Sequence, residues 1–227
     1  MLIAILGRGI QRIQSKWCLT EDLEICSPTG AHLVERIQVD DKNPHCVVGG
    51  GELNLLAGVE LQRKMKSGAS VWVCAYTNRA PYLVEQNAPS ESEIMSEILK
   101  QTLEKEELPL PKIEVWGPDR ALEGRSNTQQ ELKNIFGLAL AQGINEVMVI
   151  TITVHLPRTI SFAKDHLTQK NNFQCLQVNF LASEQVLVEI NPQLYARRVL
   201  DLYSSQAFLR SSFYEGRGVN AFLNGTY

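Results

Sequence analysis

Along the chain, short apolar runs rich in Val, Ile and Leu alternate with longer segments whose apolar residues recur every three or four positions. The runs at 2–6, 45–48, 71–75, 112–116 and 146–152 predict strands, and 175–179 and 186–190 predict two more. Helical periodicity predicts helices over 52–66, from Ser90 to about 106, and across the stripe Leu132, Ile135, Phe136 and Ala139. Pro157 opens another helix, reaching about 169, and Pro192 opens a long one toward Arg210. The stretch 14–44 has no clean period beyond a short helix near 32–37, and the glycine-rich tail from Glu215 reads as partly ordered.

Strands alternating with helices predict an α/β domain: a three-layer Rossmann-like fold with a mostly parallel sheet, formed by one domain over residues 1–227. Its centre is the run 147–152, unbroken Val, Met, Ile and Thr, which reads as a strand buried on both faces. The residue before a proline is held extended, so His155 falls in the turn between that strand and the helix after it. In open α/β sheets the turns at the carboxyl ends of strands bind ligands.

Composition narrows the class. With 44% hydrophobic and 21% charged residues and a net charge of −3, the chain reads as globular and carries no basic block for nucleic acid or anionic membranes. No apolar run approaches the roughly twenty residues of a membrane span. Cys18, Cys26, Cys46, Cys74 and Cys175 show no C-x-x-C spacing and read as reduced cysteines, so the expected location is the cytoplasm. His155 lacks a second ligand at metal-binding spacing, and no metal is expected.

Two glycine turns follow strands. Gly7-Arg8-Gly9 has two glycines of a dinucleotide fingerprint but Arg12 at the third, leaving a tight turn or a phosphate cradle. Gly49, Gly50 and Gly51 open a helix, where they serve either as N–H donors to an anion or as a site of close helix-to-sheet packing. Ser90 with Glu93 forms a capping box. In the loop after the fourth strand, Gly124-Arg125-Ser126 lacks the second glycine of a nucleophile elbow, whereas Arg120 and Arg125 suit an anion clamp or a solvated loop.

Thr151, His155 and Arg158, spaced T-x-x-x-H-x-x-R, together with the Val-Val-Gly-Gly-Gly opening, resemble the signature of the YdcF-like family, which includes SanA and ElyC. The resemblance covers about residues 44–170, with extensions at both ends. Glu123, Ser126 and Thr128 resemble the family's E-x-x-S-x-x-T-x-x-N motif, although there is one residue too few between Ser126 and Thr128 and Glu131 stands at the asparagine position. Glu91 is the nearest equivalent of a family glutamate at a helix start. Relatives are associated with S-adenosylmethionine binding and with bacterial envelope biogenesis, and several are membrane-anchored.

The resemblance therefore implies a small-molecule site at the carboxyl edge of the sheet, for an anionic or nucleotide-type ligand such as S-adenosylmethionine. Gly49, Gly50, Gly51, Glu123, Arg125, Ser126, Asn127, Thr128, Thr151 and Arg158 are its expected ligand-binding residues, and His155 its catalytic one. Two alternatives stand beside this: a hydrolase or transferase of phosphorylated or sugar-linked precursors with His155 as general base, and a non-catalytic interaction module. Beside a helix N-terminus His155 is expected to be neutral. Arg158 either aims into the pocket or pairs with Glu123 or Asp119.

Overall fold

The computed structural model describes residues 1–13, 15–21, 24–25, 47–65, 71–74, 87–115, 128–168 and 172–226. Its main sheet uses β1 (Leu2–Ile5), β6 (Val71–Cys74), β7 (Lys112–Val115), β8 (Glu146–Thr151) and β9 (Gln177–Ala182). They lie in the order β7-β6-β1-β8-β9, and every pairing is parallel. Numbered among themselves, these strands run 3-2-1-4-5, the arrangement of a Rossmann-like fold up to its fifth strand.

Both faces of the sheet are covered. Ile3 and Ile5 of β1, with Trp72 and Ile150, pack against α1 (Gly51–Met65), α2 (Glu91–Lys105) and α5 (Ser183–Ile190). Leu2, Ala4, Val147 and Val149 face the other way, onto α3 (Thr128–Ala141) and α4 (Leu156–Thr168). Side chains alternate across a strand, so a strand with helices on both faces must be apolar on both, as β1 and residues 147–150 of β8 are. The predicted stripe of α3 is the face that meets this core: Leu132, Ile135, Phe136 and Ala139 are buried. Thus α1 and α2 lie on one face and α3 and α4 on the other. The chain changes face on leaving the β7 edge for β8, and β1 and β8 become the neighbours at which strand order reverses.

Local chemistry sets the element ends. Ser90 and Glu93 form the predicted capping box at α2. Asn191 caps α6 (Pro192–Tyr203), with Pro192 at its first position. Gly58 of α1 lies where a Cβ would sit 2.7 Å from Ile5 Cδ1 and 2.9 Å from Trp72 Cζ3, so its missing side chain sets how closely α1 approaches β1 and β6.

Several expectations change. Residues 186–190 lie in α5, not a strand. Their Val and Leu residues favour β structure locally, but the sheet has already taken β9 as its edge, and Val186 and Leu187 are buried in the core on the α1 face. The ninth strand starts at Gln177 because Asn172–Cys175 is a 3-10 turn. At the start of the stretch read as irregular, β3 (Lys16–Leu19) pairs back on β2 (Ile10–Ile13), just before it, in an antiparallel hairpin turned at Ser15 with φ +66°. The long C-terminal helix is two: α6 ends at Tyr203, and α7 (Gln206–Leu223) restarts on Ser205, whose side chain accepts from Phe208 N–H. The tail expected to be partly ordered is thus helical to Leu223. Of the strand at 45–48, Val47–Val48 is β5, pairing antiparallel with β4 (Glu24–Ile25), while His45 and Cys46 lie outside the described residues. The short helix at 32–37 and the loop at 116–127 lie outside them too. No described helix is long and apolar enough to cross a membrane.

Gly58→Ala is expected to destabilise the fold by about 1–3 kcal/mol, because the new methyl meets core side chains from two strands. A lower urea midpoint at unchanged slope checks this.

Candidate functional site

The carboxyl ends of β1 and β8 lie side by side at the point where strand order reverses, and two turns leave the sheet there. After β1, Leu6 N–H still bonds Ile150 O, and the chain then turns through Gly7-Arg8-Gly9, with Gly9 at φ +97°. The N–H groups of Arg8 (2.6 Å) and Gly9 (2.9 Å) converge on the carboxylate of Glu91, in the first turn of α2. Burial pushes the Glu91 carboxyl upward, opposed by those N–H groups and the Arg8 guanidinium. The N–H groups of the loop read as a tight turn or phosphate cradle are taken up by an acidic side chain of the chain itself.

The triple glycine is engaged internally as well. Gly50 N–H donates to Glu21 O, and Gly51 N–H to Thr20 Oγ1 at 3.3 Å. Gly50 has φ +95°, and a Cβ on it would lie 2.9 Å from Ile152 Cγ2, so close approach of backbone to β8 requires glycine here. Gly49 meets the site through its carbonyl, which accepts from Arg8 Nε at 3.2 Å.

After β8 a single 3-10 turn, Thr153–His155, precedes α4. Glu184 of α5 accepts from Thr153 N–H at 2.9 Å and holds this turn down. His155, 2% exposed, is fixed from both sides. Nε2 lies 3.1 Å from Thr128 Oγ1 at the start of α3, and Nδ1 lies 3.0 Å from Glu215 Oε1 of α7. Arg158 Nε stands 2.9 Å from Glu215 Oε2, and its Nη2 donates to Oε1 at 3.2 Å. Arg8 Nη1 donates to the same Oε1 at 3.3 Å.

This arrangement selects a tautomer. A carboxylate oxygen 3.0 Å from Nδ1 requires a proton between them, so Nδ1–H donates to Glu215 and the Nε2 lone pair accepts from the Thr128 hydroxyl. Both guanidinium groups, although near Nδ1, have Glu215 as their acceptor. Burial holds the His155 pKa down at about 4, with the Arg8 and Arg158 charges acting the same way against Glu215. The imidazole is therefore neutral at pH 7, as expected, but burial is the main cause. For Glu215, burial would raise the pKa, but His155, Arg8 and Arg158 together bring it down to about 2.

Of the expected site residues, Thr128, His155 and Arg158 come together. Thr151 is fully buried one turn away in sequence, and its hydroxyl has no hydrogen-bond partner among the described residues. Glu123, Arg125, Ser126 and Asn127 lie outside the described residues. Arg158 pairs with Glu215, a partner not among the carboxylates weighed from the sequence. Sequence reasoning also passed over Arg8 as a contributor, although its place between two glycines after the first strand was a usable signal. No local pattern marks Glu215, which reaches the site only because α7 folds back over it. Compared with known proteins, the chain matches no family model, no curated protein and no solved structure.

The two shifts act in the same direction on stability. An unfolded His155 takes up a proton below about pH 6.5 while the folded one waits until about 4, so stability is lost as pH falls through that window. Glu215, depressed in the fold, adds a further loss below about 4.5, continuing toward 2. The histidine contribution is on the order of 3 kcal/mol and should vanish in His155→Gln. Urea denaturation at pH 7 and pH 5 checks this: the variant's stability should fall less between the two than the wild type's.

Proposed function

We propose that this chain is a YdcF-like domain that binds a small anionic or nucleotide-type ligand, S-adenosylmethionine among the candidates, at the carboxyl edge of the sheet between β1 and β8. The observation that carries this reading is the convergence of Arg8, Arg158 and a neutral His155 on one carboxylate at the point where strand order reverses. Two guanidinium groups and an imidazole N–H in that place form a donor set for a carboxylate or phosphate oxygen. The spacing of Thr151, His155 and Arg158 supports the family assignment.

The hydrolase or transferase reading asks more of His155. A general base works best with a pKa near the working pH. Held at about 4, His155 is a weak base and a good neutral hydrogen-bond donor, which favours binding over base catalysis. The interaction-module reading draws on a different observation, the pairing of Arg158 within the chain. A ligand must compete with that pairing.

Thermal unfolding of the wild type and Arg158→Ala against S-adenosylmethionine, nucleotides, nucleotide sugars and simple phosphates tests the proposal. A ligand at a hundred times its Kd stabilises a fold by about 2.7 kcal/mol, roughly 5–10 °C for a domain of this size. The expected result is at least one such shift that is lost in Arg158→Ala. No shift across the panel would transfer support to the interaction module.

A further inference from the structure

The carboxylate at the centre of the site belongs to a helix poorly built for staying there. The buried residues of α7 are Ala207, Ser211 and Glu215, one per turn, so its innermost stripe consists of two small side chains and one charge. Of its large apolar residues, Phe208 and Phe222 near the two ends pack against the core, whereas Leu209 (57% exposed) and Phe213 (64%) between them point the other way. A docked helix ordinarily buries its apolar stripe. Aromatic contacts hold α7 near its ends, Phe208 against Tyr203 at 4.8 Å between ring centroids and Phe222 against Phe162 at 4.6 Å. Between them Glu215 supplies the buried hold.

The same segment is weak as a helix. Gly216 and Gly218 flank Arg217 directly after Glu215, and interior glycines are the least favourable helix residues after proline. A Cβ on Gly218 would lie 3.4 Å from Arg158 Cδ, in contact with the site. Gly216 has no such neighbour: it is exposed, and a Cβ would meet open space. Breaking the ion cluster by moving α7 away also returns Glu215, Arg8 and Arg158 to water, and that rehydration offsets much of the lost attraction.

We infer that Arg8, Arg158 and His155 form an oxyanion-binding subsite that Glu215 fills from within the chain, and that α7 residues 211–218 unwind to admit the carboxylate or phosphate group of a ligand. This rests on the anion-binding reading above and adds to it the occupant, the gate and the ligand group that enters. A ligand oxyanion in place of Glu215 would take the Arg8 Nη1, Arg158 Nη2 and His155 Nδ1–H donors that Glu215 Oε1 now accepts from. The ligand's apparent affinity is then lowered by the fraction of molecules that are closed.

Inorganic pyrophosphate serves as the probe, with titration calorimetry for affinity and hydrogen exchange for α7. In the wild type, saturating pyrophosphate should speed exchange of the 211–218 amides. Glu215→Gln, which keeps the shape and removes the competing charge, should bind pyrophosphate at least ten-fold more tightly. Gly216→Ala, which stiffens the closed helix and touches nothing, should bind about five-fold more weakly. If Glu215→Gln does not fold, Gly216→Ala and the exchange experiment still decide. Pyrophosphate binding with unchanged exchange in α7 and unchanged affinity in Gly216→Ala would overturn the gate and leave the anion site standing. No binding by the wild type or by folded Glu215→Gln would overturn the anion-site reading itself.

Discussion

One carboxylate ties the functional end of this molecule together. Glu215 joins α7 to the Arg8 turn after β1, to the His155 turn after β8 and to Arg158 in the first turn of α4. Each of these groups would be costly to bury alone, because a charge or an imidazole removed from water needs a partner. Collected on one carboxylate they satisfy one another, and the turns that carry them are held in a single geometry. Such a cluster need not add much net stability, since desolvation offsets its attraction, yet loss of one member leaves the rest uncompensated.

A second acidic side chain works beside it. Glu91 occupies the N–H groups of the Gly-Arg-Gly turn, leaving the Arg8 side chain as that turn's contribution to the cluster around Glu215. Glu91 and Glu215 place Arg8 between β1, α2 and α7, where its side chain is partly buried and burial pushes its pKa down against the pull of the two acidic groups. A Rossmann-like sheet provides a crevice where its strand order reverses, and here the chain has furnished that crevice with its own charges. His155 follows from the same surroundings. Buried beside two cations, it stays neutral, and its Nδ1 proton is directed at Glu215 while Nε2 faces the Thr128 hydroxyl.

Much of this was legible in the chain. The strands β1, β6, β7 and β8, the helices over 52–66, 91–106 and 157–169, the Ser90–Glu93 capping box and the buried stripe of α3 all follow from local pattern, because apolar period and capping chemistry act over a few residues. Alternation of strands and helices implies a parallel sheet, and the turn after the most apolar strand is where His155 and Arg158 lie. Failures came where local preference met competition. Residues 186–190 favour a strand by composition but were drawn into α5 by the core they cover, and the tail after Glu215 is helical because α7 packs across α4.

By itself, then, the sequence determined the fold class, the central strand and the turn that holds His155, since each depends on periodicity and turn chemistry within a short window. Only the tertiary structure decided what that turn faces. Arg8 and Glu215 are separated by most of the chain, and nothing in the local sequence of either one encodes the other. Their meeting depends on strand order, on the face each helix covers and on the path of α7 across the sheet edge, all of which are set by packing of the whole chain. The same packing decides that Arg8 and Arg158 meet a carboxylate of their own chain.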